Sequence, residues 1–117
     1  RPEDRRVLQL TNRSKLKISI IQAISRKIDL AQLAESKGRE FNELLDELEA
    51  IIDAGTKINI DYFLNEIIGE EQQEEVMDYF RDSQEDDLEA AIQDLGDEYS
   101  EEEIRLLRIK FMSEMGN

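Results

Sequence analysis

Residues 28–61, "IDLAQLAESKGREFNELLDELEAIIDAGTKINID", decide how the chain is read. Asp29 stands before "LAQLAESK" as a helix N-cap, its carboxylate placed to accept from a free first-turn N–H. Leu30, Leu33 and Ala34 fall on one face of that short helix, and Gly38 supplies its stop. A second helix starts at Asn42 or at the residue before it. Phe41, Leu44, Leu45, Leu48, Ile51 and Ile52 recur along it at helical spacing until Gly55. Two helices joined tightly across Gly38, with a small Ala34 where the second crosses the first, predict a helix-turn-helix layout. The outward positions of the second helix are Glu43, Asp46, Glu47, Glu49 and Asp53, without a Lys or Arg among them. A carboxylate brought into a phosphate-walled DNA groove is repelled. This face is therefore expected to be solvated or to bind a protein partner, rather than to read bases.

Upstream, "KLKISIIQAISRK" places Leu16, Ile20, Ile21, Ile24 and Ile28 at helical spacing, with Ser14 as N-cap. Residues 1–13 hold the only proline and mix charges with isolated apolar residues; they read as a linker, so the chain is expected to be a piece of a longer protein. Downstream, "TKINID" reads as a short extended segment, after which Asp61 caps "YFLNEIIG". Gly69 separates that helix from "EEQQEEVMDYFRDS", where Val76, Met77 and Phe80 form a stripe and acids crowd the positive end of the helix dipole. Asp86 or Asp87 starts "LEAAIQDLG", closed by Gly96. Ser100 with Glu103 makes a capping box for a last helix carrying Ile104, Leu107 and Phe111 inward. The fold class expected is all-α, a helix-turn-helix bundle of about seven short helices.

The 117 residues suit one domain, or two small helical halves sharing a core. With 39% hydrophobic and 38% charged residues the chain can bury a core, but no apolar run approaches a membrane span. No secretory signal pattern opens it, and it has no cysteine or histidine, so a cytoplasmic setting is expected. Thiol catalysis, imidazole bases and the usual structural zinc sites are excluded outright. The net charge of −14 is polarised: residues 1–39 carry +6 and residues 40–117 carry −20. Arg13, Lys15, Lys17, Arg26, Lys27, Lys37 and Arg39 are the candidate phosphate-contact residues, against the alternative of a solvated surface or salt bridges to the acidic half. The acidic clusters Glu70-Glu71, Glu74-Glu75, Glu85-Asp86-Asp87 and Glu101-Glu102-Glu103 lack the spacing of a calcium loop. Tyr62, Phe63, Tyr79, Phe80 and Phe111 sit among apolar residues and are expected in the core, not on a base-stacking platform.

The run 28–61, read through Ala34, Gly38, Leu45, Leu48, Ile51, Gly55, Ile58, Ile60 and Asp61, resembles the helix-turn-helix domain at the C-terminus of RecQ-type ATP-dependent DNA helicases. "GDEYSEEEIRLLRIKF", residues 96–111, is similar to the closing segment of that family. Residues 1–30 are similar to the connection from the preceding helicase-and-RNase-D-type C-terminal (HRDC) module in bacterial members. The resemblance implies a linker over 1–13 from an HRDC-like module and a helix-turn-helix domain over 14–117. It implies a parent enzyme in DNA repair and recombination that uses ATP, magnesium and zinc. None of that chemistry is expected of these residues. There is no "GxxxxGK[ST]" to cradle phosphates, and catalytic, cofactor-binding and metal-binding residues are expected to be none. The expected role is that of a non-catalytic accessory domain, docking to a protein partner or to the parent helicase core, with no membrane contact. Glu43, Asp46, Glu47, Glu49 and Asp53 are its candidate partner-binding face. The alternative is weak, sequence-independent DNA binding through the basic N-terminal third.

Overall fold

The computed structural model describes the backbone over residues 2–83 and 87–116, and side chains from residue 12 onward within those ranges. Among the described residues there are seven α-helices and no strand. They run α1 (Pro2–Ser25), α2 (Leu30–Ser36), α3 (Phe41–Asp53), α4 (Asp61–Ile67), α5 (Glu70–Asp82), α6 (Leu88–Leu95) and α7 (Glu101–Met115). The all-α bundle is as the sequence predicts.

Local hydrogen bonds set most of the helix limits. The Asp29 carboxylate accepts from Gln32 N at 3.1 Å, and Asp87 accepts from Glu89 N at 3.1 Å. Ser100 and Glu103 form the reciprocal capping box, Glu103 N to Ser100 Oγ at 3.1 Å and Ser100 N to Glu103 Oε1 at 2.9 Å. Gly38 and Gly55 follow α2 and α3 with φ +64° and +99°, where a Cβ would be strained. Asp86, the other candidate start of α6, lies outside the described residues.

Two caps differ from expectation. Ser14 lies inside α1, which continues upstream through most of the segment read as a linker. Pro2 fits the first helical position because no intrahelical partner awaits its missing N–H, and the Arg, Leu and Gln residues after it are good helix formers. Asp61 is the first residue of α4, not its cap. Its N–H is taken by Asn59 Oδ1 at 2.9 Å, and its carboxylate is drawn to Lys110 at 3.0 Å.

Helix α7 packs against α3, α4, α5 and α6, so the core collects around it. Ile104, Leu106, Leu107 and Ile109 are fully buried; Leu106 and Ile109 extend the stripe expected from Ile104 and Leu107 almost round the helix. α2 and α3 pack on each other with Leu30, Leu33, Ala34, Leu44, Leu45, Leu48 and Ile51 buried, as the spacing predicts. From α1, Ile20 and Ile24 are buried while Leu16 and Ile21 are partly so. Ile28 is exposed, because α1 ends at Ser25 and the turn carries it off the helical face. Phe63 and Phe80 are core residues, with Phe111 stacked on Phe80 at 5.6 Å between centroids and Phe41 tilted on Phe63 at 6.0 Å. Tyr62 and Tyr79 are half-buried against that core.

Candidate functional site

The outward face of α3 is where a recognition helix would present its side chains, and two arginines of α7 lie across it. Arg105 and Arg108 stand one helical turn apart, so both reach the same neighbour. Arg105 donates from Nη2 to Glu49 Oε1 at 2.6 Å and to the Asp46 carboxylate. Its Nη1 donates to the Asn42 carbonyl at 3.2 Å, near the start of α3. Arg108 Nη1 reaches Glu49 Oε2 at 3.1 Å. Glu49, 20% exposed, thus has one guanidinium on each oxygen, whereas Asp46, 70% exposed, holds Arg105 from the rim. Burial works against the Arg105 charge, but the hydrogen bonds to Glu49 and Asp46 outweigh it and raise its pKa above the ordinary guanidinium value. Arg105 Nε is buried with no hydrogen-bond partner among the described residues, a cost the other donors of the same group must offset.

The rest of the acidic face is more open. Glu47 pairs with Arg39 at 3.6 Å, Glu43 accepts from Glu40 N at 2.9 Å, and Asp53 is exposed in the last turn. The five acids are therefore not equivalent. Glu49 is largely spent inside the domain, Asp46 and Glu47 are shared, and Glu43 and Asp53 face water.

The seven basic candidates do not form one patch. On α1, Arg13 and Lys17 are one turn apart, while Lys15 lies about 160° round the helix from Lys17 by the 100° per-residue rotation. Arg26 and Lys27 sit in the turn after α1, Lys37 is the C-cap of α2, and Arg39 stands one residue before the N-cap of α3. Arg39 has Glu47. For the other six, no carboxylate among the described residues is within ion-pair distance.

The acidic clusters of the second half serve local needs. Glu70 and Glu71 occupy the first turn of α5, and Glu101 to Glu103 the first turn of α7. Glu74 and Asp78 hold Arg81 at 2.8 and 2.7 Å, and Glu75 accepts from the Tyr99 hydroxyl at 3.1 Å. Glu85 and Asp86 lie outside the described residues. Among those described, no group of three or more acidic side chains could hold a metal ion, and no helix is long and apolar enough to cross a membrane. Zinc and a nucleoside triphosphate do not fit this donor set, which lacks Cys, His and a glycine-rich phosphate cradle.

Residues 14–64, spanning the second half of α1 through the first turn of α4, match the family model described as RecQ-1-like, helix-turn-helix domain. This segment is a RecQ-1-like helix-turn-helix domain. Its two central helices are α2 and α3, joined across Gly38, as the resemblance implies. α5, α6 and α7 lie beyond the matched segment, yet α7 supplies the arginines that close on α3. No curated protein matches the chain.

Sequence reasoning passed over Arg105, Arg108 and Lys110 as functional residues. Their signal was available in "IRLLRIK": basic residues interleaved with apolar ones on a helix whose neighbours are acidic. Which carboxylates they meet was not written there.

Proposed function

We propose that the chain is a non-catalytic accessory domain of a RecQ-type helicase, docking to a protein partner or to the helicase itself. The observation that carries this reading is the condition of α3. Its outer face is acidic, and the cations that approach it, Arg39, Arg105 and Arg108, are engaged with its own carboxylates. Such a helix brings no free positive charge to a phosphate backbone, and Arg105 occupies the ground a base edge would need. Glu43, Asp46, Glu47 and Asp53 remain as the accessible part of the proposed partner-binding face, with Glu49 as their internal anchor.

A second reading is supported by the six basic residues without carboxylate partners. Arg13, Lys15, Lys17, Arg26, Lys27 and Lys37 would contact phosphates, giving weak binding that ignores sequence. The dispersed placement of Lys15 against Arg13 and Lys17 favours the docking reading over this one.

Titration of the chain with labelled single-stranded, duplex and forked DNA at low salt tests both. The docking reading expects weak binding with all three, lost when Lys15, Lys17, Arg26 and Lys27 are changed to Glu and kept when Glu43, Asp46 and Glu47 are changed to Gln. Tight binding that the acid-to-amide changes destroy would mean that α3 reads DNA. ATP turnover by the pure chain, with or without DNA, is expected to be absent; turnover above background would overturn the non-catalytic reading.

A further inference from the structure

Three features that the docking reading leaves unused meet beside the segment 57–59. The first is a turn. Chain reversals after α1, α2 and α3 share one hydrogen-bond pattern: Ile28 N to Ala23 O at 3.0 Å, Arg39 N to Ala34 O at 2.9 Å and Thr56 N to Ile51 O at 3.2 Å. The left-handed residue is Gly38 in the second and Gly55 in the third, but Lys27, at φ +59°, in the first. A side chain in that conformation is strained, and nothing in the turn itself calls for a lysine.

The second is a pair of main-chain groups. Ser113 Oγ accepts from Ile58 N at 3.0 Å and donates to Ile58 O at 2.7 Å. One hydroxyl reaches both groups only if Ile58 is extended, with its N–H and C=O on the same side. Planar trans peptides then turn the Lys57 C=O and the Asn59 N–H the opposite way, away from α7. Among the described residues neither group has a hydrogen-bond partner, and both residues are exposed. This is one free rung of a strand edge.

The third is what lies on that side. A cleft of about 400 Å³ runs between the end of α1 and the start of α4, lined by Ile21, Ile24 and Ile58, with Lys27, Lys57 and Asn59 also in its wall. Asp61 lines it too, but its carboxylate is held by Lys110 at 3.0 Å. Lys27 and Lys57, neither within ion-pair distance of a carboxylate among the described residues, thus meet over an apolar floor in a chain whose net charge is −14.

We propose that this cleft receives an extended, acidic stretch of polypeptide, pairing its main chain with the Lys57 C=O and the Asn59 N–H and setting carboxylates against Lys27 and Lys57. The proposal rests on the docking reading and supplies the chemistry of the partner. A polypeptide main chain offers a donor for Lys57 and an acceptor for Asn59, whereas a phosphodiester offers acceptors alone and leaves Lys57 unanswered. The strain at Lys27 is retained because the residue delivers one of the two charges.

The test uses the full chain, labelled for amide chemical shifts. The probe is a capped hexapeptide alternating glutamate and valine. A lysine–valine version, an N-methylated version and a short oligothymidylate are run beside it. The acidic peptide is expected to move the Ile58 and Asn59 amides to saturation, less so in high salt, while the N-methylated and lysine versions leave them in place. Lys27→Gly should raise the thermal midpoint by about 2–6 °C yet loosen the peptide about fivefold. Lys57→Glu, at an exposed position, should loosen it at least as much without a thermal change. No response of these amides to the acidic peptide, a larger response to oligothymidylate, or unchanged affinity in both variants would overturn the proposal. If the amides fail to respond while DNA binding stays weak, the docking reading stands with another face. Tight DNA binding along α1, with the 57–59 amides unmoved, defeats both.

Discussion

α3 and α7 are both charged helices with a strong apolar component, and they use their charges in opposite ways. α3 divides cleanly: Leu44, Leu45, Leu48 and Ile51 are buried on one side, and Glu43, Asp46 and Asp53 are exposed on the other. α7 does not divide. Leu106 and Ile109 are buried alongside Ile104 and Leu107, and its three basic residues, Arg105, Arg108 and Lys110, reach across to carboxylates of α3 and α4. A peripheral helix spends its charges on solvent or a partner. A central one must spend them on its neighbours, because uncompensated charge at 15–21% side-chain exposure is costly.

The comparison breaks most sharply at the centre of α7. Leu107→Ala should cost about 2–5 kcal/mol in chemical denaturation, since Leu107 is fully exchanged from water for packing on several helices. A cost below that of an equivalent change at half-buried Ile52 would mean α7 is not the hub. Next in size is the α2 and α3 contact. Ala34→Leu should cost about 1–3 kcal/mol by overpacking, whereas Asp46→Lys, 70% exposed, should stay within about 1 kcal/mol. Equal thermal shifts for the two would show that the helix faces are misassigned.

Arg105→Ala sharpens the contrast between the two charge patterns. It strips one guanidinium from Glu49 and should destabilise by about 1–2 kcal/mol, while Arg81→Ala, whose partners Glu74 and Asp78 are mostly exposed, should change little. A double-mutant cycle of Arg105 with Glu49 reads the coupling directly; a value near zero would remove the internal role given to α7's cations.

The smallest effect is in alkaline solution. Tyr99 is raised to about 12 by burial and by its hydrogen bond to Glu75, and Tyr79 to about 12 by its hydrogen bond to Asp94. Both hydroxyls are held neutral in the folded chain above the unfolded value near 10, so their contribution is intact below pH 10 and fades as pH rises toward 12. The thermal midpoint should be level between pH 8 and about 9.5 and then fall, with tyrosinate absorbance rising late. Tyr99→Phe should flatten that fall; an unchanged profile would place the titration elsewhere.

Much of the fold was legible because its punctuation is local. Gly38, Gly55 and the Ser100–Glu103 pair act through hydrogen bonds spanning three to five residues, and α3 shows its period in its own sequence. α7 was less legible, since a helix buried on most sides has no clean period to find. Ser14 and Asp61 misled for a related reason. Each is a good cap by type, but α1 had helix formers upstream, and Asp61 had Lys110 waiting 49 residues away in sequence.

By itself the sequence determined the all-α class, the α2–Gly38–α3 pair, most helix ends and the polarity of charge from +6 to −20, because these depend on neighbours along the chain or on composition alone. Only the tertiary structure decided that Arg105 lies on Asp46 and Glu49, across separations of 59 and 56 residues, and that Ser113 holds Ile58 extended from 55 residues away. Those contacts follow from how α3, α4, α5 and α6 close around α7. A charge or a hydroxyl written in the chain does not carry the address of its partner.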